Sequence, residues 1–91
     1  MNLLEFEDVS TGSASLKDLV EFLAKSLSDH PEEVSVTEVE TEGGSLIQLK
    51  VAQSDLGRVI GRQGRTIKSI RALLSACATR MQKRAILEIL E

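Results

Sequence analysis

Tryptophan and tyrosine are absent from this 91-residue chain, and phenylalanine occurs only as Phe6 and Phe22. Recognition that stacks flat rings on an aromatic platform is therefore closed to the second half of the chain. A single cysteine, Cys77, excludes an internal disulfide and a cysteine-built zinc site. The lone histidine, His30, lies far from Cys77 in sequence, no Ser/His/Asp set is apparent, and no spacing suggests metal ligands. An enzyme is the least favoured class, and neither a cofactor nor a small-molecule substrate is expected. No apolar run approaches the eighteen or so residues that cross a bilayer. The first residues also lack the basic flank and long apolar stretch of a signal peptide. The expectation is a soluble cytoplasmic protein with no membrane partner.

What is present is one modest core and a divided charge. An apolar fraction of 42% fits a single globular domain. The net charge of −3 hides an asymmetry: residues 1–48 hold eleven acidic and two basic residues, whereas residues 49–91 hold three acidic and nine basic ones. The halves thus carry −9 and +6. Local field rather than total charge decides where an anion docks, so the second half is the candidate surface.

Residues 1–14 scatter Leu3, Leu4, Phe6 and Val9 among acidic residues, and Thr11 to Ser15 reads as a joint. Residues 1–15 are expected to form a flexible extension, and residues 16–91 the domain. Ser15 and Asp18 resemble a capping box opening a helix, with Leu16, Leu19, Val20, Leu23 and Leu27 on one face and Pro31 ending it. Val34, Val36 and Val39 indicate a strand, with a bulge or strand end near Glu38 to absorb the broken alternation. Glu42-Gly43-Gly44-Ser45 signals a hairpin, and Leu46 to Val51 a second strand. Ser54 or Asp55 caps a short helix bearing Leu56, Val59 and Ile60. A longer helix runs from about Arg65 to Met81 on a stripe of Ile67, Ile70, Leu74, Cys77 and Met81. Ala85 to Leu90 is the last strand. The order α-β-β-α-α-β, with the second and last strands parallel through a two-helix connection, predicts an α+β two-layer sandwich: a three-stranded mixed sheet with helices on one face.

Between the two later helices lies Val59-Ile60-Gly61-Arg62-Gln63-Gly64-Arg65-Thr66-Ile67. Two glycines three positions apart let the main chain approach a sugar–phosphate backbone, and the following helix aims free N–H groups and a positive dipole end at the same spot. The spacing fits neither the nucleotide P-loop, which has four residues between its glycines, nor the dinucleotide fingerprint. A helix–Gly-x-x-Gly–helix unit between a hairpin and a final strand is the arrangement with which KH domains clamp single-stranded nucleic acid.

These residues resemble the KH core signature, and the element order resembles the type II form. The chain is most similar to the KhpA family of small bacterial single-KH proteins. The likeness runs through Leu16-Lys17-Asp18-Leu19-Val20-Glu21-Phe22, Asp29-His30-Pro31-Glu32-Glu33-Val34, Asp55-Leu56-Gly57-Arg58-Val59-Ile60-Gly61 and Leu87-Glu88-Ile89-Leu90. It implies an RNA-binding protein acting as an RNA chaperone. It also implies a larger KhpB-type KH partner and a role in cell-wall synthesis and cell shape.

In the KH mode, Gly61, Arg62, Gln63 and Gly64 press on the backbone of about four nucleotides while the bases face an apolar floor. That floor is expected from Ile60 and Ile67, with Ile47 or Leu49 from the sheet edge. Arg58, Arg65, Lys68 and Arg71 join Arg62 along the rim, with Lys50 on the opposite wall. One copy should bind weakly and with little sequence preference, so a second module, by homodimerisation or through a partner, is expected.

Plainer readings accompany each feature. Gly61 and Gly64 suit a simple helix–helix turn, and Gly57 close packing of the short helix. The basic stripe suits a solvated helix face, Cys77 a buried core position, and His30 a loop. The glutamates from Glu32 to Glu42 suit a solubilising surface without calcium-loop spacing. The rival functional class is a protein-interaction adaptor with incidental RNA binding.

Overall fold

The computed structural model describes residues 15–91. Helix α1 (Leu16–Leu27) precedes a hairpin of β1 (Ser35–Thr41) and β2 (Gly44–Lys50). A short helix α2 (Leu56–Ile60), a long helix α3 (Arg65–Arg80) and strand β3 (Ala85–Leu90) complete the domain. The sheet order is β1-β2-β3, antiparallel then parallel. This is the anticipated three-stranded mixed sheet with helices on one face. The expectation of a loose segment over residues 1–15 lies outside the described residues, except for Ser15.

Ser15 starts α1 as read from the sequence, its Oγ accepting the Asp18 N–H at 3.0 Å. A Glu21–Lys25 pair one turn apart (3.4 Å) supports the exposed side. Leu16, Val20 and Ala24 are buried, flanked by partly buried Leu19, Leu23 and Leu27. The helix stops at Leu27, short of Pro31, which instead opens a 3-10 turn over Pro31–Glu33. The Ser28 hydroxyl donates to the Ala24 carbonyl at 2.7 Å, and the next two N–H groups leave for another partner, described below.

The anticipated bulge near Glu38 does not form. The β1–β2 register is regular from Ser35↔Lys50 to Thr41↔Gly44. Val36 opposes Leu49 on the helix-covered face, whereas Val39, Leu46 and Ile86 form a row on the outer face. The three-residue step from Val36 to Val39 is thus a change of face. Val39 is 43% exposed and Ile86 62%.

The core joins Val36, Ile47, Leu49 and Leu87 of the sheet to Leu16, Val20, Val59, Ile67, Ile70, Leu74 and Ala78 of the helices. Each such large side chain contributes about 1.5–3 kcal/mol by leaving water. The buried stripe of α3 ends on Ala78; Cys77 and Met81, both expected inside, are exposed. The step from Leu74 to Ala78 follows the 3.6-residue period, whereas Cys77 falls to the solvent side. The hairpin needs a glycine at Gly44 (φ +127°), because a Cβ there would lie 2.5 Å from the Arg84 carbonyl oxygen. That carbonyl accepts the Ser45 N–H, locking the start of β2 to the entry of β3. Among the described residues no helix is long and apolar enough to cross a membrane.

Candidate nucleic-acid interface

The glycine loop is a left-handed corner. Gly61 (φ +79°), Gln63 (φ +57°) and Gly64 (φ +73°) all adopt positive φ, and Gln63 is the one of the three that is not glycine. Gly61 is required twice over: its φ is strained for an L side chain, and a Cβ would lie 2.3 Å from Thr66 Oγ1. Gly64 is required only by its φ, since a Cβ there would make ordinary contact with Ile67 and Lys68. At Gly57 a Cβ would meet open space, so close packing of α2 is not its reason.

Three main-chain bonds brace the corner. Gly61 N–H donates to Gly57 O (2.8 Å), Gly64 N–H to Gly61 O (3.0 Å), and Arg65 N–H to Arg62 O. None of the turn's bonds uses the N–H of Arg62 or Gln63. A right-handed residue followed by a left-handed one turns consecutive N–H groups toward one concave side, where an anion fits. The first turn of α3 adds its positive dipole end.

An open cleft of about 510 Å³ runs beside the corner, lined by Ile60, Ile67, Arg71 and β3 residues 86–89. Ile60 and Ile67, the candidate floor, both line it. Ile47 and Leu49 do not: β2 is the central strand, both residues are fully buried, and the edge strand β3 supplies Leu87 and Ile89 in their place. The anticipated hairpin and parallel pair already put β2 in the centre of the sheet, so the edge role falls to β3 rather than to Ile47 or Leu49.

The basic residues divide into free and committed groups. Arg62, Arg65 and Lys68 are exposed and, among the described residues, have no acidic partner; Arg65 Nη2 reaches only Gln63 Oε1, at 3.4 Å. Arg58 is committed, its Nη2 lying 3.0 Å from Asp29 Oδ2. Arg71 Nη2 donates to the Leu87 carbonyl at 3.1 Å, pinning α3 to the edge strand across the cleft. Lys50, expected on the opposite wall, follows inward-facing Leu49 and so projects from the outer face of the sheet. In the acidic run, alternation puts Glu38 and Glu40 on one face of β1, opposite buried Ile47 and Ser45, and Lys83, just ahead of β3, bridges them (3.9 and 3.7 Å).

A buried carboxylate holds α2, and with it the loop. Asp55 is 1% exposed, and its two oxygens accept the N–H groups of Asp29 (3.1 Å) and His30 (2.9 Å). The side chain does not cap α2, contrary to the sequence expectation. Burial alone would raise the Asp55 carboxyl. The His30 and Asp29 donors, helped by the nearby charges of His30 and Arg58, outweigh burial and hold it below its ordinary value. Asp29 and Arg58 close the same clasp from outside. The sequence signal for it was an aspartate just ahead of α2, which reads equally well as a cap.

A family model described as "KhpA/KhpB, KH domain" matches residues 17–89. The RNA-binding protein KhpA of Clostridium acetobutylicum is 48% identical over 75 residues, 82% of this chain and 100% of that protein. RNA-binding protein KhpA of Borreliella burgdorferi is 46% identical over 74 residues, 81% of this chain and 90% of its own length. The same-named protein of Aquifex aeolicus is 46% identical over 78 residues, covering 86% and 99%.

Proposed function

The chain belongs to the KhpA/KhpB KH-domain family, and we propose that it grips single-stranded RNA through the corner Gly61-Arg62-Gln63-Gly64. The observation that carries this reading is the pair of N–H groups on Arg62 and Gln63 that no bond among the described residues uses, set beside an apolar cleft and three cations without an acidic partner among those residues. Phosphate oxygens sit against the N–H pair and the start of α3. Arg62, Arg65 and Lys68 supply attraction and register, while bases turn onto Ile60, Ile67, Leu87 and Ile89. Arg58 and Arg71 position rather than bind: one holds α2 against Asp29, and the other fixes the width of the cleft through the Leu87 carbonyl. The family is one of binding proteins, not enzymes.

Without aromatic rings at the loop, one domain binds weakly and with little sequence preference. Higher affinity comes from a second module, either another copy of this chain or a KhpB-type KH protein. Phe22 (67% exposed) and Leu73 (52% exposed) are the large apolar side chains that the helices offer to such a partner. On this reading the protein is a cytoplasmic RNA chaperone and post-transcriptional regulator serving cell-wall and cell-shape homeostasis.

The test is the double substitution Arg62→Asp with Gln63→Asp. Aspartate tolerates the left-handed conformation of position 63, so the melting midpoint should hold while RNA affinity falls at least tenfold. Unchanged affinity in a folded double variant removes the loop from the mechanism.

A further inference from the structure

We infer that the cleft beside the corner is the first half of a longer RNA track, whose second phosphate contact is Arg84 at the far end of the α3–β3 groove. This inference rests on the reading of the cleft as the RNA site. It extends the footprint past the roughly four nucleotides that the corner grips.

A second hollow of about 400 Å³ lies between Ser75 and Thr79 of α3, residues 83–86 and Gly43 of the hairpin. Ile86 lines both the hollow and the cleft, so the two are continuous. Their helical wall is one ridge. Ile67 and Arg71 in the cleft, then Ser75 and Thr79 in the hollow, follow at four-residue steps along one side of α3. At about 1.5 Å per residue this ridge is roughly 18 Å long. Strand β3 supplies the other wall, from Ile89 back to Ala85. The bond from Arg71 to the Leu87 carbonyl crosses the groove between them. An RNA strand passes over that bridge and takes nothing from the edge that it holds.

The chemistry changes along the track. The cleft is mainly apolar, whereas the hollow adds the hydroxyls of Ser75 and Thr79 and the cations of Lys83 and Arg84. Lys83 is spent on Glu38 and Glu40. Arg84 is exposed and has no acidic partner among the described residues. Its main chain is fixed, because its carbonyl accepts the Ser45 N–H at 2.9 Å. The end of α3 carries the negative pole of the helix, which opposes an anion. The carbonyls of Cys77, Ala78 and Thr79 are already taken, however, by the N–H groups of Met81, Gln82 and Lys83. Hydroxyls beside a forked cation suit a sugar–phosphate chain rather than a base edge.

The experiment measures affinity of the full chain for uridylate tetramers and octamers by fluorescence anisotropy. The longer strand gains from its extra registers in every variant, so the readout is the octamer-to-tetramer affinity ratio. Arg84→Gln and Ser75→Glu should each cut that ratio about three- to fivefold, with tetramer affinity and melting midpoint unchanged. The octamer's slope of log affinity against log salt should flatten by about 0.7 in Arg84→Gln. Arg80→Gln is the control, since Arg80 is exposed on the same helix but does not line the hollow. An unchanged ratio in either test variant, or an equal drop in the control, overturns the second contact. A failure of the RNA reading itself looks different. The tetramer then does not bind the wild type, or binds the Arg62→Asp, Gln63→Asp variant equally well, and this inference falls with it.

Discussion

Gly61 and Gly64 look equivalent in sequence, and the structure separates them. Gly61 has neither the φ nor the space for a side chain, whereas Gly64 lacks only the φ. Gly61→Ala should therefore cost on the order of 2 kcal/mol or more, through the clash with Thr66 added to the strained φ. Gly64→Ala should cost only about 1 kcal/mol. Urea melts of the two variants check the ranking, and equal losses would mean that the Thr66 contact does not matter. Asp55 is the other residue whose weight the sequence understates. Its carboxyl is held below the ordinary 3.8, so its contribution is present above that value and lost as pH falls through the folded value. As pH falls below the ordinary carboxylate value, the wild type should lose stability more steeply than Asp55→Asn, as followed by denaturant midpoints over an acid series. Parallel slopes would remove the clasp from the account.

Among the elements, those with a strong period or a clear stop were legible in the sequence. The Leu16–Leu27 helix, the hairpin at Glu42–Gly43, the α2–loop–α3 unit and the parallel β2–β3 pair all follow from apolar spacing and glycine placement. What the sequence concealed was set by tertiary partners. The end of α1 depends on Asp29 and His30 finding Asp55, a residue twenty-five positions away from His30. The absent bulge at Glu38 depends on which face Val39 takes, and Val39 faces solvent in a row with Leu46 and Ile86. The site was legible in part for the same reason. Gly61 to Gly64, Ile60, Ile67, Arg65 and Lys68 converge as the spacing suggested. Leu87 and Ile89 follow from the expected parallel β2–β3 pair, which leaves β3 at the edge, but were not drawn from it, and Arg58 and Arg71 are held by partners that periodicity does not reveal.

For the whole molecule, the governing feature is the partition of charge. An acidic half and a basic half share one short chain, and three exposed cations of the basic half, without an acidic partner among the described residues, stand at the loop. With three of them, Arg62, Arg65 and Lys68, neutralising phosphates, log affinity should fall with log salt at a slope of about −2. Fluorescence anisotropy over a salt series measures this slope, and a value near zero would favour the adaptor reading. At the corner itself, the proposed grip requires that the main-chain N–H groups of Arg62 and Gln63 meet the RNA directly. Titration of the 15N-labelled protein with a short oligoribonucleotide tests it residue by residue. The Arg62 and Gln63 amide signals should shift the most, saturating together with those of the first turn of α3. If they stay in place while signals elsewhere move, RNA binds at another surface and the corner is only a turn.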